Sequence, residues 1–145
     1  MTLLAGIDHV AITVADLERT CAFYTALFGA EVMRDYRPEG RPLLRVLRLG
    51  GGARLSIHQA GNGVDLVAAQ PTPGSADICF RFSGTVDEAA KLLRSHDIEI
   101  VDGPSPRQTA DGLPSHSVYF RDPDGNLVEV SEYDSGKTAG ARAEV

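Results

Sequence analysis

The chain has 145 residues, 43% of them hydrophobic, which suits a globular core and is too many for a disordered chain. Its formal charge of −6 argues against nucleic acid or an anionic membrane as partner. No apolar run nears the roughly 20 residues that span a bilayer, and the start lacks the pattern of a secretory leader, so the cytoplasm is the expected location.

Gly6–Val14 reads as a strand, with Val10, Ile12 and Val14 on one face and Ile7, His9, Ala11 and Thr13 on the other. Asp16 suits a helix N-cap, because its carboxylate accepts from an orphan backbone N–H. Leu17, Cys21, Tyr24, Leu27 and Phe28 then recur at helical spacing until Gly29 ends the helix. Strands follow at Glu31–Tyr36, Leu43–Leu49 and Ala53–Gln59, separated by Pro38, Gly40 and Pro42 and then by Gly50–Gly52. Residues 61–74 read as a connector. Ser75–Phe82 begins strand structure again, and Thr85 or Ser83 caps a helix running to about Ser95. Asp97–Val101 reads as a strand. Asp102–Pro114, rich in proline and glycine, reads as a loop. Ser115–Arg121 is a strand, Asp124-Gly125-Asn126 a tight turn, and Leu127–Val130 a strand in which Val128 and Val130 alternate with Glu129. Residues 134–145 are small and polar, and a frayed tail is expected. Cys21 and Cys79 lie among apolar residues and read as buried free thiols.

The order β-α-β-β-β therefore occurs twice. An offset of 68 carries His9 to Asp77 and Gly29-Ala30-Glu31-Val32 to Asp97-Ile98-Glu99-Ile100. The final strands align at 71, His58 with Glu129, and the three extra residues are assigned to the longer loop of the second unit. On each strand the apolar alternates face a helix, so His9, His58, Asp77 and Glu129 share the opposite side. If the sheets curl to share that side, two imidazoles and one or two carboxylates converge there, a set suited to a divalent metal. Asp77 has three open roles: a direct ligand, a group orienting an imidazole, or an acid acting through water. Tyr119, Ser117 and Arg81 share this face and can donate to substrate, while Arg107 and Thr109 sit in the long loop, placed over the mouth. His96 ends a helix, and His116 shares the parity of Val118 and Phe120, so neither belongs to the set.

Ile7-Asp8-His9-Val10-Ala11-Ile12, Phe23-Tyr24-Thr25-Ala26-Leu27-Phe28-Gly29 and Asp122-Pro123-Asp124-Gly125-Asn126-Leu127-Val128-Glu129 together resemble the vicinal oxygen chelate superfamily. That group includes glyoxalase I, extradiol dioxygenases and the fosfomycin- and bleomycin-resistance proteins. Ile57–Gly61, Gly74–Phe80 and Gly103–Thr109 are similar to its glyoxalase-domain-containing protein 5 and bacterial virulence-protein branch. The resemblance implies an α+β fold in which two tandem βαβββ modules form a U-shaped mixed sheet around a metal-binding cup. It implies one domain over residues 1–133, with module one at 3–60 and module two at 75–133. Its metal positions fall on His9, His58, Asp77 and Glu129, and the ion is nickel, zinc, manganese or iron. It further implies a homodimer acting on a small molecule, with Glu129 doubling as ligand and proton carrier beside Tyr119. Three activities are open: a glyoxalase I-type lyase or isomerase, an extradiol dioxygenase using two His and one Glu, and a drug- or metabolite-binding resistance protein.

Overall fold

A computed structural model describes residues 2–133. The chain divides into two units, one holding residues up to Ala76 with Pro123–Gly125, the other Asp77–Asp122 and the residues from Asn126. Each unit contains one helix and one four-stranded sheet, so the fold is α+β with two tandem βαβββ modules. The expected tail lies outside the described residues. No helix among the described residues is long and apolar enough to cross a membrane.

The first unit runs β1 (Val10–Val14), α1 (Leu17–Phe28), β2 (Glu31–Tyr36), β3 (Leu44–Arg48) and β4 (Arg54–Gln59), in sheet order β1-β4-β3-β2. Asp16 caps α1 by accepting from the Arg19 N–H at 3.0 Å, and Gly29 closes it in the left-handed region at φ 68°. Leu17, Cys21, Tyr24 and Leu27 bury one side of α1 in the same core as Ile12, Val14, Leu47 and Ile57. Beside them Arg45 is nearly buried. Its guanidinium donates to Glu18 at 3.0 and 3.1 Å and to Asp35 at 3.0 Å, tying β2 and β3 to the first turn of the helix. Arg37 also pairs with both Glu18 and Asp35.

The second unit runs β5 (Asp77–Phe82), α2 (Val86–Ser95), β6 (Asp102–Gln108), β7 (Pro114–Arg121) and β8 (Leu127–Glu132), in sheet order β5-β8-β7-β6. Of the two candidate caps, Thr85 is the one used. Its hydroxyl accepts from Glu88 N, and the Glu88 carboxylate accepts from Thr85 N, closing a capping box. Val86, Ala89, Ala90 and Leu93 are buried, as are Val118, Phe120, Val128 and Val130.

Several expectations need correction. Residues 97–101 are not a strand, and the expected loop at 102–114 is largely β6. β6 is an edge strand bonded only to β7, so Pro104 and Pro106 sit where a missing N–H costs little. The extra residues of the second unit lie before β6. Helix and strand are separated by Gly29 and Ala30 in the first unit and by His96–Val101 in the second. The matching of Gly29 to Asp97 is nonetheless physical, since Asp97 also takes a positive φ of 56°. The first strand begins at Val10, not Gly6. β4, its ladder partner among the described residues, starts at Arg54, one register step before the Val10–Leu55 pair, so residues 6–8 run ahead of the ladder. Val10 is correspondingly 45% exposed rather than packed on the helix. Cys21 is a buried free thiol as expected, but Cys79 is exposed.

One contact of the first unit involves the turn between β7 and β8. The Asp124 carboxylate, 1% exposed, accepts from Ala15 N at 3.0 Å and from the Thr20 hydroxyl at 3.1 Å, with Arg19 at 3.7 Å. This short turn is thus tied to the junction of β1 and α1.

Candidate functional site

In the first unit His58 lies on β4 between the buried Ile57 and the half-buried Gln59, with Thr13 of β1 as its register partner. Its side chain takes the face opposite Ile57. The Nδ1 atom is buried and has no hydrogen-bond partner. Desolvation, and then the nearby charge of His9, hold this imidazole below the ordinary histidine pKa. Both effects favour the neutral ring, the form that ligates metals. His9 stands just ahead of β1 and is exposed. Its Nδ1 lies 2.7 Å from Asp8 Oδ1. An ionised carboxylate only accepts, so Nδ1 carries a proton, and in the neutral ring the lone pair is left on Nε2. The bond from His9 and its charge hold the Asp8 carboxyl below the usual range. A carboxylate–imidazole pair of this kind fixes ring orientation at metal sites. Asp8 was not singled out from the sequence, although its place beside His9 was the available signal.

In the second unit Glu129 occupies the middle of β8, half-buried between the buried Val128 and Val130. Its register partners are Cys79 on β5 and Tyr119 on β7. Both are close enough to its carboxylate to feel it electrostatically. Desolvation of the sulfur, and then Glu129, push the Cys79 thiol up to about 11; desolvation leads even though the residue as a whole retains solvent contact. Burial also raises the Tyr119 phenol, which Arg107 opposes and Glu129 reinforces.

The remaining candidates fall in different places. Arg107 lies on β6 rather than in a loop. Its Nε donates to the Tyr119 hydroxyl at 2.9 Å, its terminal nitrogens to Asp102 at 3.0 Å and Pro106 O at 2.8 Å, and its guanidinium covers the Tyr119 ring at 5.2 Å. Thr109 begins the turn between β6 and β7, and its hydroxyl accepts from Leu113 N at 3.1 Å. Ser117 is fully buried with its Oγ unpartnered. Arg81 stacks over the Tyr133 ring at 4.9 Å. Asp77 is exposed at the start of β5, opposite Leu127.

The ladders also refine the pairing of His9 with Asp77. His9 lies four residues before the partner of His58, whereas Asp77 lies two before the partner of Glu129. The slide is even, so the face is kept while the depth along the strand changes. His116 stays outside the set, bonded through Nδ1 to Glu132 at 2.9 Å.

No group of three or more His, Cys, Asp or Glu side chains is gathered around one point among the described residues. The chemistry of the donors still suits a divalent ion. The first unit offers a buried, unpartnered ring nitrogen on an imidazole kept neutral, and a second imidazole oriented by a carboxylate.

Two tandem βαβββ modules with such donors define a class. Residues 6–130 match the family model of the Glyoxalase/Bleomycin resistance protein/Dioxygenase superfamily, and the chain belongs to that superfamily. It is 39% identical over 132 residues to the glyoxalase domain-containing protein RDO1 of Mycosarcoma maydis, covering 91% of this chain and 70% of that one. It is 35% identical over 131 residues to virulence protein STM3117 of Salmonella typhimurium, covering 90% and 86%. The crystal structure of STM3117 superposes with a TM-score of 0.79, over 92% of this chain and 100% of that one. A lactoylglutathione lyase from Agrobacterium tumefaciens superposes with a TM-score of 0.67 at 27% identity, covering 90% and 96%. These relatives agree with the branch that the motifs resemble.

Proposed function

We propose that the protein is a metal-dependent enzyme of the glyoxalase I type, a lyase or isomerase acting on a small molecule with two neighbouring oxygens. His9, His58 and Glu129 hold the metal, and Asp77 is the remaining candidate. The observation that carries the reading is the His58 imidazole, held below the ordinary histidine pKa and with a buried Nδ1 that no described residue satisfies. The likeness to a lactoylglutathione lyase supports the choice of reaction class. A divalent ion bound there supplies Lewis-acid stabilisation of negative charge on substrate oxygen.

The chain's own residues supply the rest. Glu129 takes a proton from the substrate carbon beside its carbonyl and returns it to the neighbouring carbon, a role worth about 10²–10⁴-fold. The Tyr119 hydroxyl accepts from Arg107 at 2.9 Å and turns its single proton toward Glu129, beside which it acts. Ser117 and Arg81 are further donors on this face, and Arg107 and Thr109 hold the β6–β7 end of the sheet.

Metal analysis followed by turnover with methylglyoxal and a thiol tests the reading. Nickel, zinc or manganese with isomerisation of the thiol adduct is the expected result. Iron with oxygen uptake on catechols would replace it with a dioxygenase, and failure to take up metal on reconstitution would replace it with a binding protein.

A further inference from the structure

We propose that Cys79 is a positioning residue for Glu129, its thiol holding one side of the carboxylate while Tyr119 holds the other. The inference rests on the metal-dependent reading of Glu129 given above.

Cys79, Glu129 and Tyr119 form one row across β5, β8 and β7, with Cys79 and Tyr119 the two register partners of Glu129. Strands in a sheet lie about 4.8 Å apart, so the three side chains on this face are neighbours. An ionised carboxylate is acceptor-only, with about four lone-pair sites. The thiol and the phenol, set opposite Glu129 in the ladder, are therefore the donors that face it, and using both still leaves lone pairs free for a metal and a proton. The two sides differ in how they are supported. Tyr119 is backed by Arg107, which is itself fixed by Asp102 and the Pro106 carbonyl. β5 is the outer strand of its sheet, so among the described residues of this unit no further strand stands behind Cys79. The thiol's other acceptor, the Phe80 carbonyl, is at the long distance of 4.0 Å. A cysteine has one side-chain torsion before its sulfur, so it presents its donor with little conformational freedom. Removing it leaves the carboxylate held from one side only. Groups that orient a ligand in this way are worth about 10–100-fold in metal affinity.

The test compares wild type, Cys79→Ser and Cys79→Ala in Mn²⁺ titrations, reading free Mn²⁺ by electron paramagnetic resonance, with thermal melting of each metal-free protein. Serine keeps a donor of similar size and is expected to bind within about threefold of wild type. Alanine is expected to bind about tenfold more weakly at an unchanged melting temperature. Equal affinity of Cys79→Ala and wild type would overturn the inference, as would equal losses in both variants. A thiolate-to-metal charge-transfer band in the cobalt(II) protein that vanishes in Cys79→Ser would overturn it in favour of direct coordination. A wild-type protein that binds no Mn²⁺, Ni²⁺ or Zn²⁺ would instead bring down the metal-dependent reading itself, and this inference with it.

Discussion

The Asp124 carboxylate is a turn residue by sequence and a structural tie by position, and the two descriptions give different stabilities for its variants. It accepts from Ala15 N at 3.0 Å and from the Thr20 hydroxyl at 3.1 Å, with its side chain 1% exposed and Thr20 fully buried. Hydrogen bonds to a charged group contribute about 1.5–3 kcal/mol each, and removing one partner adds the cost of a stranded donor. The exposed Arg19, 3.7 Å away, adds little. Asp124→Ala is therefore expected to cost about 3–4 kcal/mol after partial relaxation. Asp124→Asn should cost only about 1 kcal/mol. Its amide oxygen still accepts from Ala15 N, and its amide nitrogen donates to a reversed Thr20 hydroxyl. Urea unfolding followed by far-ultraviolet circular dichroism measures both. A change below about 0.5 kcal/mol for Asp124→Ala, or equal losses for the two variants, would refute the assignment.

Three further outcomes follow from particular contacts. Gly103→Ala should destabilise the second unit and blunt the activity that depends on Tyr119, because Gly103 has φ 94° and a Cβ there would strike the Ser117 carbonyl; wild-type melting would contradict this. Alkylation of Cys79 by iodoacetamide should rise with a midpoint near pH 11, since its raised pKa withholds thiolate below that pH, and Cys21 is buried; a midpoint near pH 8.5 would contradict it. Arg45→Ala should cost about 3 kcal/mol and Arg45→Met less. Methionine fills the space beside Cys21, whereas alanine leaves a void; in both variants Glu18 and Asp35 keep Arg37 as a partner; chemical denaturation distinguishes them.

The strands and caps that were legible owe this to local chemistry. Asp16, Gly29 and Thr85 act at helix ends through groups within a few residues of themselves. The alternation of Val128 and Val130 around Glu129 needs only the two-residue period of a strand. What was misread depends on neighbours distant in sequence. Pro104 and Pro106 signal a loop unless the strand is known to be an edge, which is a property of sheet order. The late start of β1 is set by where β4 begins. Cys79 was grouped with Ile78 and Phe80 by composition. Its alternation with Asp77 and Arg81 already placed it on the face of Glu129, and only the ladder showed that the two are partners. His9 and His58 were legible as a pair through shared parity, but the orphaned Nδ1 of His58 and the bond from His9 to Asp8 are matters of packing.

The central claim, that two imidazoles and Glu129 hold one divalent ion, is tested most directly by equilibrium dialysis of wild type and His58→Ala against Ni²⁺ or Mn²⁺, with metal counted by atomic emission. Wild type is expected to retain a single ion per chain and His58→Ala none at the same free concentration, with both proteins folded. Full occupancy in folded His58→Ala would contradict the account.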